Sequence, residues 1–402
     1  MGEIKPITQA VILAGGKGER LRPLTNDRPK PMILINGKPF LEHLINLLKE
    51  NGIKEVVLLL GYMPEKITEY FSDGKKFGVS IKYSIGSVDD LTGTRVRNAA
   101  PLLADEFLLL YSDNYWPLNL KKLVEFYSEK NVVGSLVAYS NVNGDAEHGR
   151  ENNVRVQEDE HVAYYGPFSK DPNLNAVDIG FFLMKKNIID MMPKDNFSFE
   201  HTILPKLIQN NSLAAYVTDH PYYAITTVGQ IPVVEEFFKS KKVIFLDRDG
   251  VINKQMPPHD YVKKWEEFEF LPGVLDAFTA LTKAGYEIYI ITNQRGISRG
   301  LMTEDDLKDI HIRMTAEIEK HGGQIAGIYH CFHGNDDNCL CRKPKPGMFF
   351  QAAREHKLNL TKSVFIGDTE SDRLAGEAAE CKTIILKTGE ILETAVKSLL
   401  NS

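Results

Sequence analysis

Short apolar runs alternate with amphipathic segments along the whole chain. Runs such as VVLLL and VIFL contain consecutive apolar residues, which is typical of parallel strands buried on both faces. Segments such as PFLEHLINLLKENG carry apolar residues three and four positions apart, which predicts helices. The alternation begins at Gln9 and begins again at Lys241. We therefore predict an α/β chain of two domains, residues 1–239 and 240–402.

The two predicted domains differ in how regularly strands and helices alternate. In the first, residues 141–172 are rich in Asn, Asp, Glu and Gly, which predicts antiparallel strands and loops inserted over the sheet. In the second, strands are predicted in the order VIFL, YEIYIITN, IAGIYHCF, SVFIGD and KTIIL, with helices between most of them. This order predicts a doubly wound parallel sheet.

Length, composition and charge bound the function without naming it. A chain of 402 residues suggests two or three domains, and 43% hydrophobic residues is ordinary for a globular protein. The formal net charge of -6 and the lack of a long basic run argue against a nucleic-acid surface and favour small anionic substrates. The N-terminal segment lacks a secretory signal, and no apolar stretch approaches the roughly 18–20 residues of a spanning helix. We therefore expect a cytoplasmic protein without membrane or nucleic-acid partners.

Carboxylates follow two of the strands predicted in the second domain. Asp247 and Asp249 come directly after VIFL, and Asp368 ends SVFIGD. Carboxyl ends of parallel strands converge on one crevice, where one carboxylate can attack a phosphate and another can act as acid and base. Adjacent carboxylates repel, so they need a cation, and Mg²⁺ prefers oxygen ligands. We expect Asp247 and Asp249 to be catalytic, and all three to bind Mg²⁺.

Polar residues at other strand ends complete the predicted phosphate site. Thr292 and Asn293 end YEIYIITN and can donate hydrogen bonds to phosphate oxygens. Arg342 or Lys343 can neutralise the transferring phosphoryl group. The ordered set resembles the haloacid dehalogenase (HAD) superfamily of phosphotransferases. The resemblance makes Asp247 the nucleophile, Asp249 the acid and base, Thr292 the hydroxyl motif, Lys343 the lysine motif and Asp368 a metal ligand.

A cluster of cysteines and a histidine lies in the segment CFHGNDDNCLCRKPKPG. Cys331, His333, Cys339 and Cys341 form a Cys₃His set suited to tetrahedral Zn²⁺, which leaves no open coordination position. We therefore predict a structural zinc. Cys381, the remaining cysteine, is interpreted as a small buried hydrophobic residue.

The C-x-H and C-x-C-R-K-P pattern resembles the phosphatases that remove the 7-phosphate of heptose 1,7-bisphosphate, and also the related histidinol-phosphate phosphatases. The resemblance implies sugar-phosphate contacts from Arg342, Lys343 and the loop around His259 to Tyr261. It also implies such contacts from the TNQR segment, which comprises Thr292, Asn293, Gln294 and Arg295. One residue departs from the pattern, because Thr369 stands where the heptose enzymes usually carry lysine after Gly-Asp. Two alternatives follow: a substrate or phosphate contact is lost, or it is supplied from elsewhere, for which Arg295 is the candidate.

A glycine-rich turn follows the first strand, in LAGGKGERLRPLT and RPKPM. Gly15, Gly16 and Gly18 would let backbone N–H groups approach a nucleotide, while Arg20 and Lys30 offset phosphate charge. The string resembles the sugar-1-phosphate nucleotidyltransferases, which implies a Rossmann-like mixed sheet. The nucleotide-binding residues expected from this resemblance are Leu13, Ala14, Gly15, Gly16, Gly18, Arg20, Lys30 and Asp113.

Within this resemblance Asp113 is a Mg²⁺ ligand, and Glu200 and Lys206 lie where sugar-binding residues are found. Two departures stand out. Thr94 and Arg95 replace small residues near the base pocket, and Thr227 stands where a second metal aspartate is expected.

Together the resemblances imply a bifunctional enzyme of nucleotide-activated heptose biosynthesis. Hydrolysis through an aspartyl-phosphate would yield heptose 1-phosphate, to which a nucleotide, with GTP preferred, would be transferred. Two alternatives remain open: a histidinol-phosphate phosphatase, and a phosphatase whose silent N-terminal domain binds nucleotide or supports an oligomer. The sequence is compatible with a homo-oligomer, and leaves the anomer and channelling between sites open. We interpret His43, His148, His201 and His311 as surface or cap histidines.

Overall fold

The computed structural model describes residues 5–142, 151–166, 171–257 and 260–401. The chain divides into two compact units, Met1–Phe238 and Lys239–Ser402. In the described part of the chain, no helix combines the length and the apolar character that a membrane span requires.

The first unit contains a mixed sheet with helices on both faces. Its strands are β1 (Gln9–Ala14), β2 (Leu34–Ile35), β3 (Lys38–Pro39), β4 (Glu55–Leu60), β5 (Ser80–Ile85), β6 (Glu106–Tyr111), β7 (Asn114–Tyr115), β8 (Gly134–Tyr139), β9 (Val154–Val156), β10 (Val162–Tyr165), β11 (Val177–Lys185), β12 (Leu213–Thr218) and β13 (Tyr223–Ala224). Its α-helices are α1 (Phe40–Glu50), α2 (Pro64–Phe71), α3 (Thr92–Asn98), α4 (Leu120–Lys130), α5 (Phe199–Gln209) and α6 (Ile231–Phe237).

Seven of the described strands form the main sheet, in the order β12-β8-β11-β6-β1-β4-β5. Strand β11 is antiparallel to both of its neighbours, and the other pairs are parallel. The predicted mixed sheet is therefore confirmed. Strands β9 and β10 pair antiparallel outside this sheet, within the segment predicted as an insertion.

The apolar runs are long because both faces of the sheet are covered. Along β4, Val56 and Leu58 pack into one apolar cluster, while Val57 and Leu59 pack into the other. Leu13 of β1 pairs with Leu59 of β4 and with Tyr111 of β6, so the carboxyl ends of these strands are level. The glycine-rich turn and Asp113 consequently lie at the same edge of the sheet.

The second unit is a doubly wound parallel sheet, as predicted. Its strands are β14 (Lys242–Leu246), β15 (Tyr286–Asn293), β16 (Gly327–Cys331), β17 (Val364–Gly367) and β18 (Lys382–Ile385). Its α-helices are α7 (Val274–Lys283), α8 (Glu304–Lys320), α9 (Gly347–His356), α10 (Glu370–Ala378) and α11 (Leu392–Leu400). The last helix, α11, was not predicted from the sequence; it packs against α7.

The strand order is β16-β15-β14-β17-β18. From β14 the chain adds β15 and β16 on one side and then β17 and β18 on the other, so the order of winding reverses between β14 and β17. Ligands of open α/β sheets bind outside the carboxyl ends of the strands at such a reversal. Leu246 of β14 pairs with Ile366 of β17, and Asp247 N–H donates to the Ile366 carbonyl at 2.9 Å. Asp247 and Asp368 therefore leave the sheet side by side.

Candidate active sites

Three carboxylates and a lysine meet where β14 and β17 end. Oxygens of Asp247, Asp368 and Asp372 all lie within 4.8 Å of one another. The Lys343 Nζ atom lies 2.7 Å from Asp247 Oδ1 and 2.5 Å from Asp372 Oδ1. Lys343 Nζ also donates to the carbonyl of Ile291 at 3.1 Å, and this third contact holds its charge beside the carboxylates.

The carboxylate cluster is electrostatically suited to a divalent cation. Burial raises the pKa of Asp247 to about 8; the Lys343 charge lowers this pKa in part, and the Asp372 charge raises it. Burial and Asp372 raise the pKa of Asp368 to about 6. Asp368 Oδ1 is buried and has no hydrogen-bond partner among the described residues. An oxygen-seeking ion such as Mg²⁺ fits these acceptors.

Asp372 belongs to the carboxylate cluster but was not predicted from the sequence. It is fully buried, and its Oδ2 atom accepts hydrogen bonds from the N–H groups of Asp368 and Thr369 and from the Thr369 hydroxyl. This is a capping box at the start of α10. The T-x-x-D spacing in GDTESD was the available signal. Thr369, at the position where lysine was expected, therefore serves as a helix cap.

The Asp249 side chain lies in a separate hydrogen-bond network. Its carboxylate accepts hydrogen bonds from Arg248 Nη2 at 3.0 Å, Asn253 Nδ2 at 2.9 Å and Gln294 Nε2 at 2.8 Å. Burial alone would raise the pKa of Asp249, but the Arg248 charge and the two amide donors outweigh it, so the pKa is lowered. The carboxylate of Asp249 thus stands outside the three-carboxylate cluster in which we expected it to bind Mg²⁺.

Gly250 is required by this arrangement. Its φ of +93° lies in a region that side chains disfavour, and a Cβ there would meet Asp368 Oδ2 at 2.1 Å. The glycine in the DRDG segment therefore lets the two carboxylate loops approach each other.

Some of the predicted phosphate-binding residues line one cavity, and others lie outside its lining. A cavity of about 670 Å³ is lined by Asp247, Asp249, Thr292, Asn293, Arg342 and Lys343, and also by Tyr261. Gln294 is buried and donates to Thr292 Oγ1 and Asp249, so it supports the site from behind. Arg295 is not among the described residues that line the cavity. Its expected role, to replace the contact of the lysine that is missing at position 369, is therefore not supported. His259 is outside the described residues.

The Cys₃His set is brought together as predicted. Cys331 Sγ lies 3.6 Å from His333 Nδ1, 3.7 Å from Cys339 Sγ and 3.2 Å from Cys341 Sγ. Ligands of a tetrahedral zinc with bonds of about 2.3 Å lie about 3.8 Å apart, so the donor set fits Zn²⁺. Arg342 follows the last cysteine and donates to Asn335 and to the His333 carbonyl, within the same loop.

The first unit has its own cavity, of about 710 Å³, at the carboxyl ends of β1 and β6. The predicted residues that line it are Leu13, Gly15, Gly16, Gly18, Arg20, Lys30 and Asp113. Ala14, the remaining predicted residue, is buried in the apolar cluster beneath. Lys30 Nζ lies 2.6 Å from Asp113 Oδ2, so a cation and a carboxylate face the cavity together.

Side chains occupy the space that the missing side chains of Gly15 and Gly18 leave, although both glycines line the cavity. A Cβ at Gly15 would meet the Arg95 guanidinium at 2.3 Å, and one at Gly18 would meet Lys30 Cβ at 2.8 Å. Gly16 has nothing within 4 Å and remains open to a ligand.

Arg95 is buried and lines the same cavity. Its guanidinium donates to the carbonyls of Leu60 at 2.7 Å, Ser87 at 2.9 Å and Val88 at 3.2 Å, and to Gly15 at 3.3 Å. Arg95 therefore ties together the loops that follow β1, β4 and β5.

The other departures have structural roles as well. Thr227 forms a capping box with Gln230, and Thr94 Oγ1 accepts a hydrogen bond from Phe197 N–H. Glu200 accepts a hydrogen bond from Thr92, which lines the cavity. Lys206 is exposed and donates to the Met191 carbonyl outside the described lining, so the expected sugar contact is not supported.

The predicted surface or cap positions of the histidines agree with the structure for some of them and not for His311. His201 is exposed, and His43 is half-buried and stacks on Phe238. His311 is 9% exposed and lies against Arg248, so its interpretation as a surface or cap residue is wrong. His148 is outside the described residues.

Comparison with known proteins finds similarity for both units. The model of the nucleotidyl transferase family matches residues 9–223, and the HAD-hydrolase-like model matches residues 340–400. The D-glycero-beta-D-manno-heptose-1,7-bisphosphate 7-phosphatase of Helicobacter pylori strain J99 is 42% identical over 39% of this chain and 88% of its own length. The phosphatase of the same name from Pseudomonas aeruginosa is 38% identical over 40% of this chain and 89% of its own.

The first unit also resembles a solved structure. HddC from Yersinia pseudotuberculosis is 27% identical, with a TM-score of 0.50, and the match covers 58% of this chain and all of HddC.

Proposed function

We propose that this chain is a bifunctional enzyme that acts twice on one sugar. The chain belongs to the nucleotidyl transferase family and, through its second unit, to the heptose 1,7-bisphosphate 7-phosphatases. The second unit removes the 7-phosphate of D-glycero-D-manno-heptose 1,7-bisphosphate. The first unit transfers a nucleotide, from GTP by preference, to the heptose 1-phosphate that results. The observation that carries the proposal is this chemical continuity, because the phosphatase product belongs to the substrate class of sugar-1-phosphate nucleotidyltransferases.

The phosphatase step follows from the positions of Asp247 and Asp249. Asp247 attacks the phosphorus, the bond from phosphorus to O7 breaks, and Asp249 hands a proton to O7. Because the resting Asp249 is ionised, that proton arrives with the phosphate monoester, whose second pKa is about 6. Water then hydrolyses the aspartyl-phosphate: Asp249 takes one proton from the attacking water, hydrogen phosphate leaves, and Asp249 releases the proton to solvent and returns to its ionised state. Mg²⁺, held by Asp247, Asp368 and Asp372, would supply positive charge to the phosphoryl oxygens.

The transferase step uses the cavity that Lys30 and Asp113 share. Arg20 and Lys30 bring positive charge toward the triphosphate, and the open side of Gly16 admits the phosphate chain. Of the two positions where the resemblance expects a metal aspartate, position 113 carries one and position 227 carries a threonine that caps a helix. Asp113 therefore holds Mg²⁺ without a second aspartate. One protein carboxylate together with substrate phosphates is an ordinary arrangement for this ion.

The test supplies heptose 1,7-bisphosphate, as each anomer, with each nucleoside triphosphate, and follows phosphate and pyrophosphate separately. We expect stoichiometric phosphate, and pyrophosphate only after phosphate has been released. Faster hydrolysis of histidinol phosphate than of the heptose bisphosphate would overturn the proposed phosphatase substrate.

We expect Asp113→Asn to lower nucleotidyl transfer by about 10²–10³-fold, because it removes the charge that holds Mg²⁺ and pairs with Lys30. Phosphate release should be unchanged, since Asp113 belongs to the other unit. Pyrophosphate release measured on preformed heptose 1-phosphate isolates the effect. If the unsubstituted enzyme releases no pyrophosphate with any nucleotide, the first unit is a silent binding or oligomerising domain instead.

A further inference from the structure

Arg248, between the two aspartates of the phosphatase site, has a side chain that is buried to 1% exposure. Its Nη2 atom contacts both carboxylate oxygens of Asp249, each at 3.0 Å. Its Nε atom is buried and has no partner among the described residues. The orientation of the guanidinium therefore depends on what holds its remaining nitrogen, Nη1.

His311 supplies that contact from α8. Its Nε2 atom lies 3.3 Å from Arg248 Nη1, and because guanidinium groups only donate, the imidazole must accept. Burial and the Arg248 charge lower the pKa of His311 to about 3, which keeps the ring neutral. His330 also lowers this pKa, and Asp249 raises it.

We propose that His311 is a positioning residue of the phosphatase reaction: it holds Arg248, and Arg248 holds the Asp249 carboxylate in the orientation that delivers a proton to the leaving sugar oxygen. The inference rests on the proposed phosphatase function. His311 touches neither substrate nor the reacting atoms, and it acts through Arg248 alone.

This role predicts a dependence on the leaving group. A sugar alkoxide needs a proton as its bond to phosphorus breaks, whereas p-nitrophenolate is stable enough to leave without one. Misplacing Asp249 should therefore slow the first substrate and spare the second. A general loss of packing around α8 would slow both to the same extent.

The experiment compares His311→Gln with His311→Asn in the full chain. A Gln amide places an acceptor near the position of the imidazole Nε2 atom, whereas an Asn amide reaches only the position of Nδ1. We expect His311→Asn to lower kcat for heptose bisphosphate about tenfold, with KM and the rate on p-nitrophenyl phosphate changed less than about twofold. His311→Gln should restore most of the loss.

His330→Leu is the matched control, because His330 is an exposed neighbour whose ring centre lies 5.8 Å from that of His311. It should leave both rates unchanged. Equal losses on both substrates, or no loss in His311→Asn, would overturn the positioning role. An unsubstituted enzyme that hydrolyses neither substrate would instead refute the proposed phosphatase function.

Discussion

Replacing Asp247 by Asn should abolish phosphate release from heptose bisphosphate, by a factor on the order of 10⁵, while nucleotidyl transfer to heptose 1-phosphate continues. The amide has the size of the carboxylate but cannot attack phosphorus. The variant should fold, because Lys343 keeps its ion pair with Asp372, at 2.5 Å, when the charge at position 247 is removed.

The same substitution has a predicted effect on stability in metal-free protein. The pKa of Asp247 is raised from 3.8 to about 8 on folding, so its ionisation in the unfolded chain lowers stability progressively as pH rises from about 4 to 8. Asp247→Asn should therefore melt at a higher temperature than the unsubstituted protein at pH 8. The difference should vanish below the unfolded pKa of 3.8, where the carboxyl is protonated in both states.

Asp276→Asn, an exposed change on α7, is the control and should alter neither activity nor melting. Phosphatase activity retained above a few per cent in Asp247→Asn would show that another group is the nucleophile. Loss of both activities together would indicate misfolding rather than chemistry.

Replacing Cys341 by Ser should remove about one zinc ion per chain and with it most of the phosphatase activity. Structural zinc sites contribute about 10 kcal/mol or more to folding in small domains, so the second unit should melt well below its normal temperature. Arg342 and Lys343 follow the lost ligand directly, and Lys343 must stay 2.7 Å from Asp247.

Zinc content and the melting temperature would check this prediction. Nucleotidyl transfer activity would show whether the first unit remains folded. Cys381→Ala is the matched control, because Cys381 is buried in the core rather than in the Cys₃His set. It should keep its zinc. Zinc content well below one ion per chain in the unsubstituted protein would contradict the structural role.

Much of the architecture could be predicted because its signals are local. Apolar runs covered on both faces identify the strands, and the residue that follows a parallel strand must lie at the carboxyl edge of the sheet. That rule placed Asp247 and Asp113 at their cavities and Asp368 beside Asp247. The Cys₃His set was equally accessible, since its four ligands lie within eleven residues and the spacing itself is the signal.

Contacts between residues distant in sequence could not be predicted in this way. Arg95 fills the space above Gly15, eighty positions away, and no local pattern around the glycine-rich turn indicates that contact. His311 lies 63 positions from Arg248, and no feature of α8 marks it as part of a catalytic network.

The sequence by itself determined the two α/β units, the families they resemble, the position of Asp247 at a strand end and the Cys₃His set, because each of these depends on short patterns and on strand ends. The tertiary structure alone decided that Asp372 joins the carboxylate cluster, that Asp249 is held by Arg248 and Gln294, and that Thr227 and Thr369 cap helices. The physical reason is that burial, charge pairing and hydrogen-bond direction depend on which elements pack together, and periodicity along the chain does not carry that information.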